Sequence, residues 1–212
     1  MQYETWRNDI FNLPENTDPV NDDLPSDRHE LNPERTLDFI DRALIDPDIH
    51  ERYSRTQIGI GLSIIFDDTC GNGTWDYIAC SDRARAQQSV QHLVYLYRNF
   101  FDRYCPDTYF YANQRNVRDD RLGYLCSMFW EIFTLVHGDA SDPLENAALE
   151  VMRQALQSSV PGSLESAING LGEAVYVGHP ASADIIRDWL RKPTATDPDL
   201  LRFAEWAITA GS

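Results

Sequence analysis

The 212-residue sequence predicts an all-α fold, an α-solenoid of about four antiparallel helix pairs in one domain. Three observations predict it. Asn32-Pro33, Asp46-Pro47, Asp142-Pro143 and Asp197-Pro198 each set a capping side chain before a proline that has no N–H to leave unsatisfied and a φ already suited to a helix. Between these marks the apolar residues recur with a period of 3.6 rather than 2. The last four apolar stripes are joined by short turns, as in repeat proteins whose helix pairs bury their stripes only by stacking on the next pair.

The elements follow in order. Tyr3, Trp6 and Ile10 form a short apolar anchor, and residues 12–31 are polar, acidic and proline-bearing, which predicts a partly extended N-terminal segment. Residues 32–212 then carry the helical stack. Leu37, Ile40, Ala43 and Leu44 mark a helix over 33–45. In IGIGLSIIF, Ile58, Ile60, Leu62 and Ile64 alternate like a strand, but no partner strand is evident elsewhere. One helix running from Asp46-Pro47 through residue 66 fits better. Ser81 is read as opening a helix over 82–104, and Leu122, Leu125, Met128, Phe129, Ile132, Phe133 and Val136 mark another over 120–136. Between them, residues 105–119 form a long loop with three aromatics. The last two pairs are 143–158 with 163–177, and 180–191 with 198–210; His179-Pro180 is a weaker version of the cap-proline signal.

Charge bounds the partners. The net is −16, with a single lysine, Lys192, against 17 arginines. Such a surface repels nucleic acid and anionic lipid and favours association with basic proteins. No apolar run reaches the roughly 18 residues of a membrane span, and the first residues lack the pattern of a secretory signal. Four cysteines without a CxxC pair fit reduced thiols. The expected location is cytoplasmic.

Motifs for cofactor and metal chemistry are incomplete. Gly59-Ile-Gly61 and Gly170-Leu-Gly172 reach Ile64 and Val175 where a dinucleotide fingerprint needs its third glycine, and no Gly-Lys pair exists for a phosphate loop. His29-Glu30 and His50-Glu51 lack the second histidine of a zinc-hydrolase helix. In DDTCGNGTWDYIA the third and twelfth calcium-loop positions are Cys70 and Ala79, so no metal or cofactor is expected.

The segment from LENAALEVMRQAL to DIIRDWL resembles HEAT-type helical repeats. Ala167, Ile168, Leu171, Gly172 and Ala174 give the A-I-x-x-L-G-x-A pattern of the inner helix, and the resemblance covers residues 120–210. LCSMFWEIF followed by LGEAVYVGHP is similar, more faintly, to bacterial helical-repeat proteins regarded as immunity proteins against a neighbouring toxin. These resemblances imply a protein-binding scaffold rather than an enzyme. Three inner helices each set an acid and an aromatic off the core stripe: Trp130 with Glu131, Glu173 with Tyr176, and Glu205 with Trp206. Aromatics give rigid contact area and the acids suit a basic partner, such as a toxin domain or nuclease. Two other readings stand beside this one. An enzyme would bring two or more of Asp67, Asp68, Asp119, Asp120, His92 and His137 into one pocket; a general scaffold would expose an apolar patch.

Overall fold

The cap-proline signals start helices where the sequence predicts them. In the structure, a computed structural model describing residues 1–22, 31–70, 73–107 and 120–209, the side chains of Asn32, Asp46, Asp142 and Asp197 accept the backbone N–H of Arg35, Asp48, Leu144 and Asp199. Each following proline is the first helical residue. Replacing Asp142 with alanine removes such a cap and is expected to lower stability by about 1 kcal/mol in urea unfolding; an unchanged midpoint would refute the assignment.

Every regular element among the described residues is helical. They are α1 (Tyr3–Phe11), α2 (Pro33–Ala43), α3 (Pro47–Arg52), α4 (Arg55–Phe66), α5 (Trp75–Ala79), α6, α7 (Arg121–Ile132), α8 (Pro143–Ala155), α9 (Pro161–Tyr176), α10 (Ser182–Arg191) and α11 (Pro198–Ala207). Helix α6 is a rod of successive segments, Arg83–His92, Val94–Leu96, a π-helical turn at Tyr97–Phe101, and Asp102–Tyr104. In the π turn the Asp102 N–H reaches back five residues to the Tyr97 carbonyl.

Several boundaries differ from the sequence reading. The expected helix over 47–66 is two helices, α3 and α4. Tyr53 is extended, Ser54 accepts the Gln57 N–H, and the Gln57 side chain accepts the Ser54 N–H, a complete capping box. Asp82, not Ser81, caps α6, and the Ser81 hydroxyl donates to Glu34 instead. Helix α9 starts at Pro161, and α10 starts at Ser182 rather than at Pro180. The expected loop over 105–119 lies outside the described residues from 108 on, as does the 23–30 part of the N-terminal segment.

Packing explains why 58–66 reads ambiguously. Helix α4 lies between α1 and α7, so all nine residues from Ile58 to Phe66 are buried and no single stripe can show. Neighbour relations continue from α7 to α9 and from α9 to α11, while α2 meets α6 and α6 meets α8. The buried apolar side chains form one continuous cluster from Tyr3 to Ala207. Polar ties cross it: Asp102 at the end of α6 accepts the hydroxyls of Ser158 and Ser163, both at 2.7 Å, and Tyr97 of the π turn bonds Ser166 at 2.9 Å.

Two glycines of α9 permit close approach. A Cβ at Gly170 would overlap the Trp130 indole, and one at Gly172 would press on Ala207. The neighbour at Gly172 is therefore α11. Gly178, at φ +84°, ends α9 in the left-handed region that glycine adopts without strain. No helix among the described residues is long and apolar enough to cross a membrane.

Candidate functional site

The six residues singled out by the acid-aromatic pattern lie on α7, α9 and α11, and the structure separates them. Trp130 is a correction: it is 3% exposed, its Nε1–H donates to the Tyr97 hydroxyl at 2.8 Å, and its ring fills the space left at Gly170. Helix α7 is covered by α4 on one side and α9 on the other, so its buried arc is wide enough to take in Trp130 as well as Phe129. The other five stay at the surface. Tyr176 is 68% exposed and Trp206 61% exposed; Glu131 and Glu205 are exposed and Glu173 is half-buried.

Glu131 and Glu173 form the electrostatic centre of this face. Burial first, then the charge of Glu131, pushes the Glu173 carboxyl above the ordinary glutamate range. Asn169, one turn before Glu173, donates from Nδ2 to Glu131 at 2.6 Å and to the Ser127 carbonyl at 3.2 Å. That amide fixes Glu131 on the α9 side of α7, and the sequence gives no signal for it. Neither carboxylate has an ion-pair partner among the described residues. Two like charges are thus held together, one partly out of water, with no cation between them. The contact of Gly172 with Ala207 packs α9 on α11, where Trp206 stacks on Phe203 with ring centroids 5.9 Å apart.

The face is braced from below. The loop after α7 turns at Gly138, φ +86°, directly against the Val177 carbonyl at the end of α9. Glu145 of α8, wholly buried, accepts the backbone N–H of His137, Gly138 and Asp139 at 3.1, 2.8 and 3.0 Å. The end of α9 that carries Tyr176 is therefore backed by a turn tied to α8.

The residues of the enzyme reading have local partners. Asp67 accepts the N–H and hydroxyl of Thr69, and Asp68 accepts the N–H of Thr74 and the hydroxyl of Thr134. Asp120 caps α7 and pairs with Arg55 at 2.6 Å. His92 faces Asp41 at 3.2 Å, while Asp41 also takes Arg85 and the buried Ser89 hydroxyl. That hydroxyl donates to the carboxylate and not to the imidazole, so no nucleophile–base pair is made. Exposed His137 meets Glu145 through its backbone, and Asp119 lies outside the described residues. The cavities around Arg121, around Arg7 and around His50 are lined by none of these six.

The four cysteines are free. Cys80, Cys105 and Cys126 are buried, and burial together with Asp67 pushes the Cys70 thiol up to about 12. Cys105 is 4% exposed and donates to the Leu122 carbonyl. Among the described residues no group of three or more His, Cys, Asp or Glu could hold a metal ion. No protein-family model matches the chain, and neither a curated protein nor a solved structure matches it.

Proposed function

We propose that the chain is a non-enzymatic binding module, a two-row α-solenoid of about four helix pairs, that offers the α7–α9–α11 face to a basic protein. In its most specific form it is an immunity protein occluding a toxin such as a nuclease, whose phosphate-holding site is positively charged. The observation that carries this reading is the Glu131–Glu173 couple, which has no ion-pair partner among the described residues, on helices whose neighbours carry the exposed rings of Tyr176 and Trp206. An arginine or lysine from a partner would relieve the repulsion and complete the hydrogen bonding of both carboxylates. The net charge of −16 adds long-range attraction for such a partner. The helix order supports the two-row stack, with α4, α7, α9 and α11 as successive neighbours and α2, α6 and α8 behind them.

The test uses the Glu131→Gln/Glu173→Gln double variant and a toxin encoded beside this chain. Co-expression of the native chain is expected to restore growth, with affinity that falls steeply as salt rises. The double variant is expected to bind about tenfold more weakly, roughly 1.4 kcal/mol. Its stability should move the other way. A carboxyl whose folded pKa is raised binds its proton more tightly in the folded state, so its contribution to stability falls as pH rises from the ordinary glutamate range through the folded value. At neutral pH Glu173→Gln therefore leaves stability equal or higher. Protection and salt dependence unchanged in the double variant would overturn the proposal.

A further inference from the structure

One cavity of this acidic chain has the opposite electrostatic character. Ile45, Asp46, Pro47, His50, Arg98, Asn99 and Arg103 line a cavity of about 230 Å³ between α3 and the π turn of α6. Arg98 and Arg103 carry its charge. Most described arginines are paired: Arg7, Arg42, Arg52, Arg55, Arg83, Arg85, Arg121, Arg153, Arg187, Arg191 and Arg202 each meet a carboxylate. Arg35 lies over Phe39 and donates to the Met1 carbonyl. Arg98 and Arg103 line this cavity with no ion pair of their own among the described residues, and Arg103 lies over the Tyr104 ring, 5.4 Å from its centroid.

The π turn brings these two arginines to one side. Residues five apart stand about 140° apart around an ordinary α-helix. The wider turn at Tyr97–Phe101, with its five-residue hydrogen bond, rotates position 103 back toward position 98. Such turns are frequent at functional sites. The one acid in the wall is already engaged: Asp46 accepts the Tyr3 hydroxyl and the Arg7 guanidinium, both at 2.7 Å, and the Asp48 N–H at 3.1 Å.

Neutral donors complete the wall. Asn99 spends one amide hydrogen on the Leu44 carbonyl at 2.7 Å and keeps the other. The His50 ring packs against Phe100, with centroids 4.7 Å apart, and its Nδ1 meets the Tyr104 hydroxyl at 3.0 Å. When Tyr104 donates to Nδ1, Nε2 holds the ring hydrogen. Burial first, and then Arg103, lowers the His50 pKa, which favours the neutral imidazole, and in the tautomer set by a Tyr104 donor its Nε2–H is free to donate.

From this geometry we propose that the cavity at the π turn binds a small phosphate-class oxyanion, with Arg98 and Arg103 supplying charge and Asn99 and His50 orienting it. Two forked guanidinium groups and two neutral donors suit an ion with three or four acceptor oxygens better than a carboxylate with two. The volume admits an inorganic phosphate or the phosphoryl end of an ester. This site is independent of the acidic face, and its failure would leave that reading untouched.

The test follows the His50 ring resonances of the full chain by NMR at neutral pH. Titration with inorganic phosphate at constant ionic strength is expected to shift them saturably and to raise the His50 pKa, because the bound anion offsets Arg103. Acetate is expected to shift them far less. Phosphoserine and adenosine monophosphate separate the source: the ester that binds more tightly than phosphate identifies a protein-borne or nucleotide-borne group, and equal binding identifies the free ion. Arg98→Gln and Arg103→Gln, both at exposed positions, should each weaken phosphate binding about tenfold or more with the unfolding midpoint unchanged. A non-saturable response to phosphate, an equal response to acetate, or unaltered binding in both variants would overturn the proposal.

Discussion

Glu145→Ala is expected to destabilise the protein by about 3–5 kcal/mol. The carboxylate is wholly buried and accepts three backbone N–H groups of the 137–139 turn. Truncation leaves those donors without their acceptor at a turn that packs on the Val177 carbonyl, and each charge-assisted bond contributes about 1.5–3 kcal/mol before non-additivity. Glutamine keeps one acceptor oxygen and should fall between the two. Urea unfolding with constant slope reads the effect directly. A loss below about 1 kcal/mol would show that the turn finds other partners. Because that turn backs the end of α9, partner binding through Tyr176 should weaken in the glutamine variant even where the protein remains folded.

Gly170→Ala is the second large effect, an expected loss of about 2–3 kcal/mol despite a gain of about 1 kcal/mol in helix propensity. The added methyl would lie 2.8 Å from Trp130 Cβ and nearer still to Cγ and Cδ1. Trp130 cannot step aside, since its N–H is held by Tyr97 and its ring lies edge-on to Phe129. Gly178→Ala is the control. Nothing stands within 4 Å of its Cβ position, so only the left-handed backbone is penalised. Equal, small effects at both positions would mean that α7 and α9 are not in tight contact at Trp130.

These two positions also show how far the residues alone carry the reading. Helix starts at Asn32, Asp46, Asp142 and Asp197 are legible because the cap and its proline are adjacent in sequence and act locally. The break at Ser54 is equally local, and the Ser54-x-x-Gln57 box could have marked it; a continuous apolar run from Ile58 drew the helix past it. Trp130 and Gly170 are different. Each makes sense only beside the other, forty residues away, and a stripe rule built for a helix with one covered side misplaces Trp130 on a helix covered on two. The same limit hides Asn169, which matters because Glu131 is opposite it. It also hides Arg98 and Arg103, whose spacing points them apart unless a π turn intervenes. The exposure of Glu131, Tyr176 and Trp206 follows the rule that a polar or bulky residue beside a clear apolar stripe stays outside, and Glu173 follows it in part.

Helix α1 gives the molecule two unlike ends. Phe11 seats in the space left by Gly61, and Tyr3 and Arg7 reach across to Asp46, so the apolar side of α4 that faces away from α7 is closed by a short segment with its own polar latch. A line of helices growing by addition of identical units would be terminated there, since the surface a further unit would need is already occupied. On α11 the Trp206 ring is exposed among the described residues. The two flanks are thereby unlike: α4 is covered by a latched segment, while α11 leaves an exposed ring among the described residues.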